Sequence, residues 1–74
     1  MPIERIQVDP GRMAGAPTVR DTRLTVAAVL GQLAAGRTTE QLLGDYPYLE
    51  RDDVLAVLAF AADAVQRDLP FVAA

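Results

Sequence analysis

Ten carboxylates and seven arginines carry all the formal side-chain charge of this 74-residue chain, which has neither histidine nor cysteine. Their absence removes the commonest general base, the usual nucleophile pairs and every nitrogen or sulfur metal ligand. Asp52-Asp53 is the only adjacent acidic pair, and its place at the start of a helix is explained by the helix dipole without a hard cation. No Gly-Lys-Ser/Thr follows Gly11 and Gly15, so they do not form a phosphate loop. The expectation is therefore a chain that is not an enzyme and holds neither metal nor cofactor.

The arginines are the other candidates. The net charge of −3 argues against a general nucleic-acid binder, but it is divided unevenly. Residues 1–37 carry five arginines against three acids, whereas residues 38–74 carry two against seven. If DNA is bound, the candidates are Arg12, Arg20, Arg23 and Arg37, acting on phosphates or in the minor groove. Arg23 has a second reading, pairing with Asp45 or Glu40 to hold the N-terminal arm to a helix. The use of arginine alone, with abundant alanine, reads first as the mark of a GC-rich genome.

The elements that position these side chains follow from local pattern. Alternation around Ile6 and Val8 predicts a strand over residues 3–8, stopped by Asp9-Pro10-Gly11. After a loop at residues 12–16, Thr18 to Arg20 is a second short extended piece, and Asp21-Thr22 turns the chain. These strands are too short to be stable alone. Thr25 caps a first helix whose Val26, Val29, Leu30 and Leu33 form one buried stripe. Gly31 in its interior suggests close approach of another backbone, and Gly36 ends it. Thr38 and Gln41 match a capping box that opens a second helix, which must stop near Tyr46 because Pro47 follows. A third helix begins near Arg51, with Glu50, Asp52 and Asp53 at its positive end.

At 100° per residue, Val54, Leu58, Ala61, Val65 and Leu69 share one face of that third helix, flanked by Leu55, Val57 and Ala62, and this face is the expected core. Phe60 then projects away from it, beside Ala56, Ala64 and the stem of Arg67. Two readings follow: a dimer or partner contact, or Phe60 folding back under the arm. The tail carries Phe71 and Val72 beyond Pro70, as a frayed end or as a segment that docks on a partner. Both ends of the chain read as natural termini.

The fold class that results is mainly α: a three-helix, helix-turn-helix bundle with a short N-terminal β-arm. Its parts are the arm at 1–24, helices at 25–36, 39–46 and 51–68, and a tail at 69–74. A chain this short hides only about 60% of its unfolded surface and gains roughly 3–5 kcal/mol from one core, so association is expected. The start lacks the layout of a signal peptide and no apolar run is long enough for a membrane span, which places the protein in the cytoplasm.

The segments Gly15-Ala16-Pro17 through Thr22-Arg23-Leu24, Leu33-Ala34-Ala35-Gly36, Thr39-Glu40-Gln41-Leu42-Leu43, Asp45-Tyr46-Pro47-Tyr48-Leu49 and Asp53-Val54 through Phe60-Ala61 together resemble the bacterial family of domain of unknown function 433. The resemblance covers nearly the whole chain, and the Thr-Arg turn and Tyr-Pro-x-Leu at this separation are its most specific parts. Two positions depart from the pattern: Asp21 stands where the family usually has Gly, and Thr25 where Pro is common. Members resemble VapB-type antitoxins with a homeodomain-like fold. The resemblance implies an antitoxin that neutralises a PIN-like ribonuclease toxin and, as a homodimer, represses its own operon by binding operator DNA. A PIN-type site clusters carboxylates around a metal, so Arg67 beside Phe60 is the candidate to enter it. The expected interface is Ala56, Phe60, Ala64, Arg67, Phe71 and Val72. Competing readings are a stand-alone helix-turn-helix DNA-binding regulator and a non-catalytic dimerisation module.

Overall fold

A computed structural model describes residues 5–11 and 13–68. It is mainly α, with a two-stranded antiparallel ribbon at the N-terminal side of three helices. β1 (Ile6–Gln7) pairs with β2 (Thr18–Val19) in the register Ile6 opposite Val19 and Gln7 opposite Thr18. A short 3-10 turn, Met13–Gly15, lies in the segment between them. Residues 1–4, which include the first two of the expected strand over 3–8, Arg12, and the tail with Phe71 and Val72 lie outside the described residues.

Local chemistry accounts for the three helices. α1 (Val26–Ala34) starts where the Thr25 hydroxyl accepts from the Ala28 amide at 3.0 Å, and it closes into Gly36 at φ 93°, an angle that costs a side-chain-bearing residue energy. α2 (Thr39–Asp45) opens on a complete capping box: the Gln41 amide donates to the Thr38 hydroxyl at 3.1 Å, and the Thr38 amide donates to the Gln41 side chain at 2.9 Å. α3 (Arg51–Asp68) is the long element, and it packs against α1, α2 and β1. Gly31 meets open space rather than the close backbone that its position in the helix suggested.

The core gathers apolar residues from β2, the loops and all three helices: Val19, Leu24, Val26, Val29, Leu42, Leu49, Val54 and Val57, with Ala56 also buried. Ile6, Leu30, Leu33, Leu43, Tyr46 and Phe60 close around it. The ribbon is thus held by what it packs on, since two residue pairs of ladder are not stable alone. Among the described residues no helix is long and apolar enough to cross a membrane.

α3 is rotated relative to the expectation. Its buried side runs through Asp53, Val54, Ala56 and Val57 to the half-buried Phe60 and Ala64, while Leu55, Leu58 and Val65 face outward. The difference is about a third of a turn at 100° per residue. The reason is a charge that the apolar periodicity could not weigh.

Candidate functional site

Asp53 is a carboxylate with no exposed surface, although its position in the sequence is that of an ordinary helix-start acid. Four donors meet it. Arg20 forks onto it, with Nε 3.0 Å from Oδ1 and Nη2 2.8 Å from Oδ2. Nη1 of Arg5 donates to Oδ1 at 2.9 Å, and the Glu50 amide donates to Oδ2 at 2.8 Å. An ionised carboxyl offers about four acceptor positions, so this one is saturated. The Glu50 bond is also half of a capping box, joining the third helical residue to the residue before the helix.

Each part of the clamp comes from a different piece of chain. Arg5 precedes β1, Arg20 follows β2, and Asp53 lies in the first turn of α3. Arg20 adopts φ 47°, a left-handed angle unusual for a side-chain-bearing residue. The guanidinium there reaches the Tyr48 carbonyl at 2.6 Å as well as Asp53, and these bonds hold a conformation that would otherwise be strained. The turn is closed by the Thr22 hydroxyl, which donates to the Val19 carbonyl at 2.6 Å. The left-handed angle falls on Arg20 and not on Asp21, so the missing family glycine at 21 is not needed for the turn.

Burial by itself would push the Asp53 carboxyl up. The Arg20 bonds, then the Glu50 amide and Arg5, outweigh it and hold the group below its ordinary value. The same contacts raise Arg5, first through Glu50 at 2.8 Å and then through Asp53, and raise Arg20 through Asp53. The arm is therefore stapled to the start of α3 by an ion cluster rather than by its ladder.

The remaining arginines are largely committed too. Arg37 pairs with Asp45, and Arg51 with Glu40, which lowers the Glu40 carboxyl. These two acids are the ones proposed for Arg23, and each is taken by another arginine. Arg23 is exposed and makes no ion pair among the described residues. Of the four candidates for nucleic acid, Arg20 thus faces Asp53, Arg37 faces Asp45, Arg23 is open to solvent, and Arg12 lies outside the described residues.

The expected interface residues are not brought together on one open face. Ala56 is fully buried, Phe60 packs on the core and Ala64 is half-buried. Arg67 is exposed and paired with Asp63 one turn earlier at 3.0 Å. Phe71 and Val72 lie outside the described residues. The open apolar face is instead Leu55, Leu58 and Val65, which are 49%, 45% and 45% exposed, with the exposed Ala62 between them. The signal for this was present in the sequence: Asp53, Val57, Phe60 and Ala64 have the spacing of one helical face, and a charged first member concealed it. Among the described residues there is no pocket and no cluster of acids arranged for a metal ion.

No curated protein matches the chain. Among solved structures, the crystal structure of a DUF433 member protein from Anabaena variabilis ATCC 29413 is similar, with 27% sequence identity and a TM-score of 0.74 over 89% of this chain. The chain spans 60% of that protein's length. The model of the family described as "Protein of unknown function (DUF433)" matches residues 6–61, from the first strand of the ribbon to the middle of α3, and the chain belongs to that family.

Proposed function

We propose that this chain is a non-catalytic protein-binding module that acts as the antitoxin of a PIN-like ribonuclease. The observation that carries the reading is the open face of α3, where Leu55, Leu58 and Val65 stay half-exposed although the helix also fills the core on its other side. A helix apolar over so wide an arc has a second surface to cover. Arg67 lies at the end of the same helix but on its Phe60 side, about 160° round from this face at 100° per residue, and its pair with Asp63 is a surface pair of the kind worth only about 0.3–0.5 kcal/mol. It is free to leave that partner for a carboxylate-rich site.

The DNA-binding alternative is less well supported. A helix-turn-helix reads bases with the first turns of its recognition helix. Here that turn holds Asp52 and the clamped Asp53, and Arg5, Arg20 and Arg51 around it already face carboxylates. Phosphates would meet acids and neutralised arginines.

The test is co-purification with the product of the adjacent gene, followed by ribonuclease assays. Wild type is expected to co-purify and inhibit, Leu58→Asp to lose both while keeping its helical spectrum, and Arg67→Ala to bind but inhibit less. Full inhibition by a folded Leu58→Asp would overturn the assignment of this face.

A further inference from the structure

The two arginines on Asp53 are not equivalent. Arg20 reaches both carboxylate oxygens, and with the Glu50 amide it leaves Asp53 three hydrogen bonds and a full countercharge when Arg5 is taken away. A buried carboxylate is costly when it is bare. Arg5 adds one bond to Asp53 at 2.9 Å and one to Glu50 at 2.8 Å, and its side chain keeps 27% of its surface. It can therefore leave without stranding the charge that it helps to meet.

The segment behind Arg5 is not anchored in the core. Val19 buries β2 completely at that position, whereas no residue from 5 to 11 is buried: Arg5 and Ile6 are half-buried and residues 7–11 are exposed. A local opening needs little free energy where few apolar contacts are lost. β2 keeps its place without the segment, because its other side is fixed independently: the Val19 amide donates to the Leu24 carbonyl and the Val26 amide to the Pro17 carbonyl, both at 2.9 Å, and Thr18 bridges Thr25. Between the segment and β2 lie Ala14 and Gly15, successive left-handed residues at φ 56° and 84°. An alanine holds such an angle only where its surroundings impose it, so this is the point at which the backbone rotates when residues 5–11 move and β2 does not.

We infer that residues 5–11 form a strap that opens while β2 and the three helices stay folded, with Arg5 as its latch on Glu50 and Asp53. Closed, the strap pairs with β2 and covers its edge. Open, it leaves the ladder position of Thr18 and the Arg20 amide unpaired, an edge of the kind onto which an incoming extended segment adds. Arg20 is thus the fixed member of the clamp and Arg5 the movable one. The device is independent of the antitoxin reading.

Two neighbouring amides separate this opening from any other. The Arg20 amide donates across the ribbon to the Arg5 carbonyl, and the Val19 amide donates to Leu24, away from the strap. Hydrogen exchange of the full-length protein, with each rate referred to that of an unfolded chain, is expected to run at least about tenfold faster at Arg20 than at Val19. Low urea should barely change the Arg20 rate, because a local opening exposes little surface. Arg5→Ala is expected to speed the Arg20 amide by roughly another tenfold relative to Val19, the effect of losing a hydrogen bond to a charged group. Equal protection of the two amides in wild type would mean that the arm opens only with the whole fold, and would overturn the strap whether or not the variant folds. An unchanged ratio in a folded Arg5→Ala would overturn the latch.

Discussion

Asp53 shows how a single residue can outrank a hydrophobic pattern. Taking a carboxylate out of water costs several kcal/mol after relaxation, so it persists only where donors replace the lost hydration, and Arg20, Arg5 and the Glu50 amide supply them. Removing one donor should expose that cost. Arg20→Ala is expected to destabilise the fold by about 3 kcal/mol, the low end of the range for breaking a buried pair, because Arg5 stays. Against a total of roughly 3–5 kcal/mol for a chain of this size, such a variant keeps at most about 2 kcal/mol and is partly unfolded. Lysine should not rescue it, since one ammonium cannot replace the fork. Arg23→Ala, by contrast, is expected to change stability by no more than about 0.5 kcal/mol. Urea titration of the three variants separates these outcomes, and equal losses at positions 20 and 23 would contradict the clamp.

Acid should find the same residue. The folded Asp53 carboxyl lies below its ordinary value while the unfolded one does not, so the unfolded chain binds the proton first as pH falls. The stability it contributes is complete above the usual carboxylate range, near pH 4, and is lost as pH drops through the lower folded value. Glu40 is also lowered, by Arg51, but lies at the surface and adds little. Thermal unfolding followed from pH 6 to pH 2 should show the loss in wild type. Asp53→Asn, already weaker at pH 6, should show a shallower decline.

At the scale of elements, the chain's starts and stops are decided within a few residues. Thr25, Gly36 and the Thr38–Gln41 box act on amides or angles close in sequence, so they are legible without the fold. Gly31 is different, because its meaning depends on what lies opposite. Its place in the helix suggests a close approach, and the structure leaves it facing open space. Gly31→Ala therefore has room for its methyl group and removes unfolded-state freedom. It is expected to raise stability by about 0.4–1 kcal/mol, measured as a shift of the urea midpoint at unchanged slope. A loss would mean that something covers this side of α1.

For the whole molecule, the orientation of α3 decides which apolar surface is spent on the core and which is left for others. Phe60 packs inward and Leu58 outward. Phe60→Ala should therefore cost about 2 kcal/mol in the isolated chain, less than the roughly 3–5 of a fully buried ring. Leu58→Ala should leave the monomer's stability within about 0.5 kcal/mol. The expectation from periodicity alone is the reverse ranking, so denaturation of these two variants at low protein concentration tests the rotation without reference to any partner.

What the sequence settled by itself was local: a mainly α chain, a weak N-terminal ribbon, caps, breaks, and the absence of histidine and cysteine chemistry. These follow from contacts between near neighbours and from composition. It also showed that α3 is apolar over more of its circumference than one small core needs. It left open which part faces the core, because Leu58 and Phe60 are equally apolar and Asp53 looks like an ordinary helix-start acid. Only the tertiary structure decided that, by bringing Arg5 and Arg20 from the ribbon onto Asp53 across 48 and 33 residues of chain. A buried charge must be met from every side, and that requirement fixed the rotation of the helix where hydrophobic contact, which has no direction, did not.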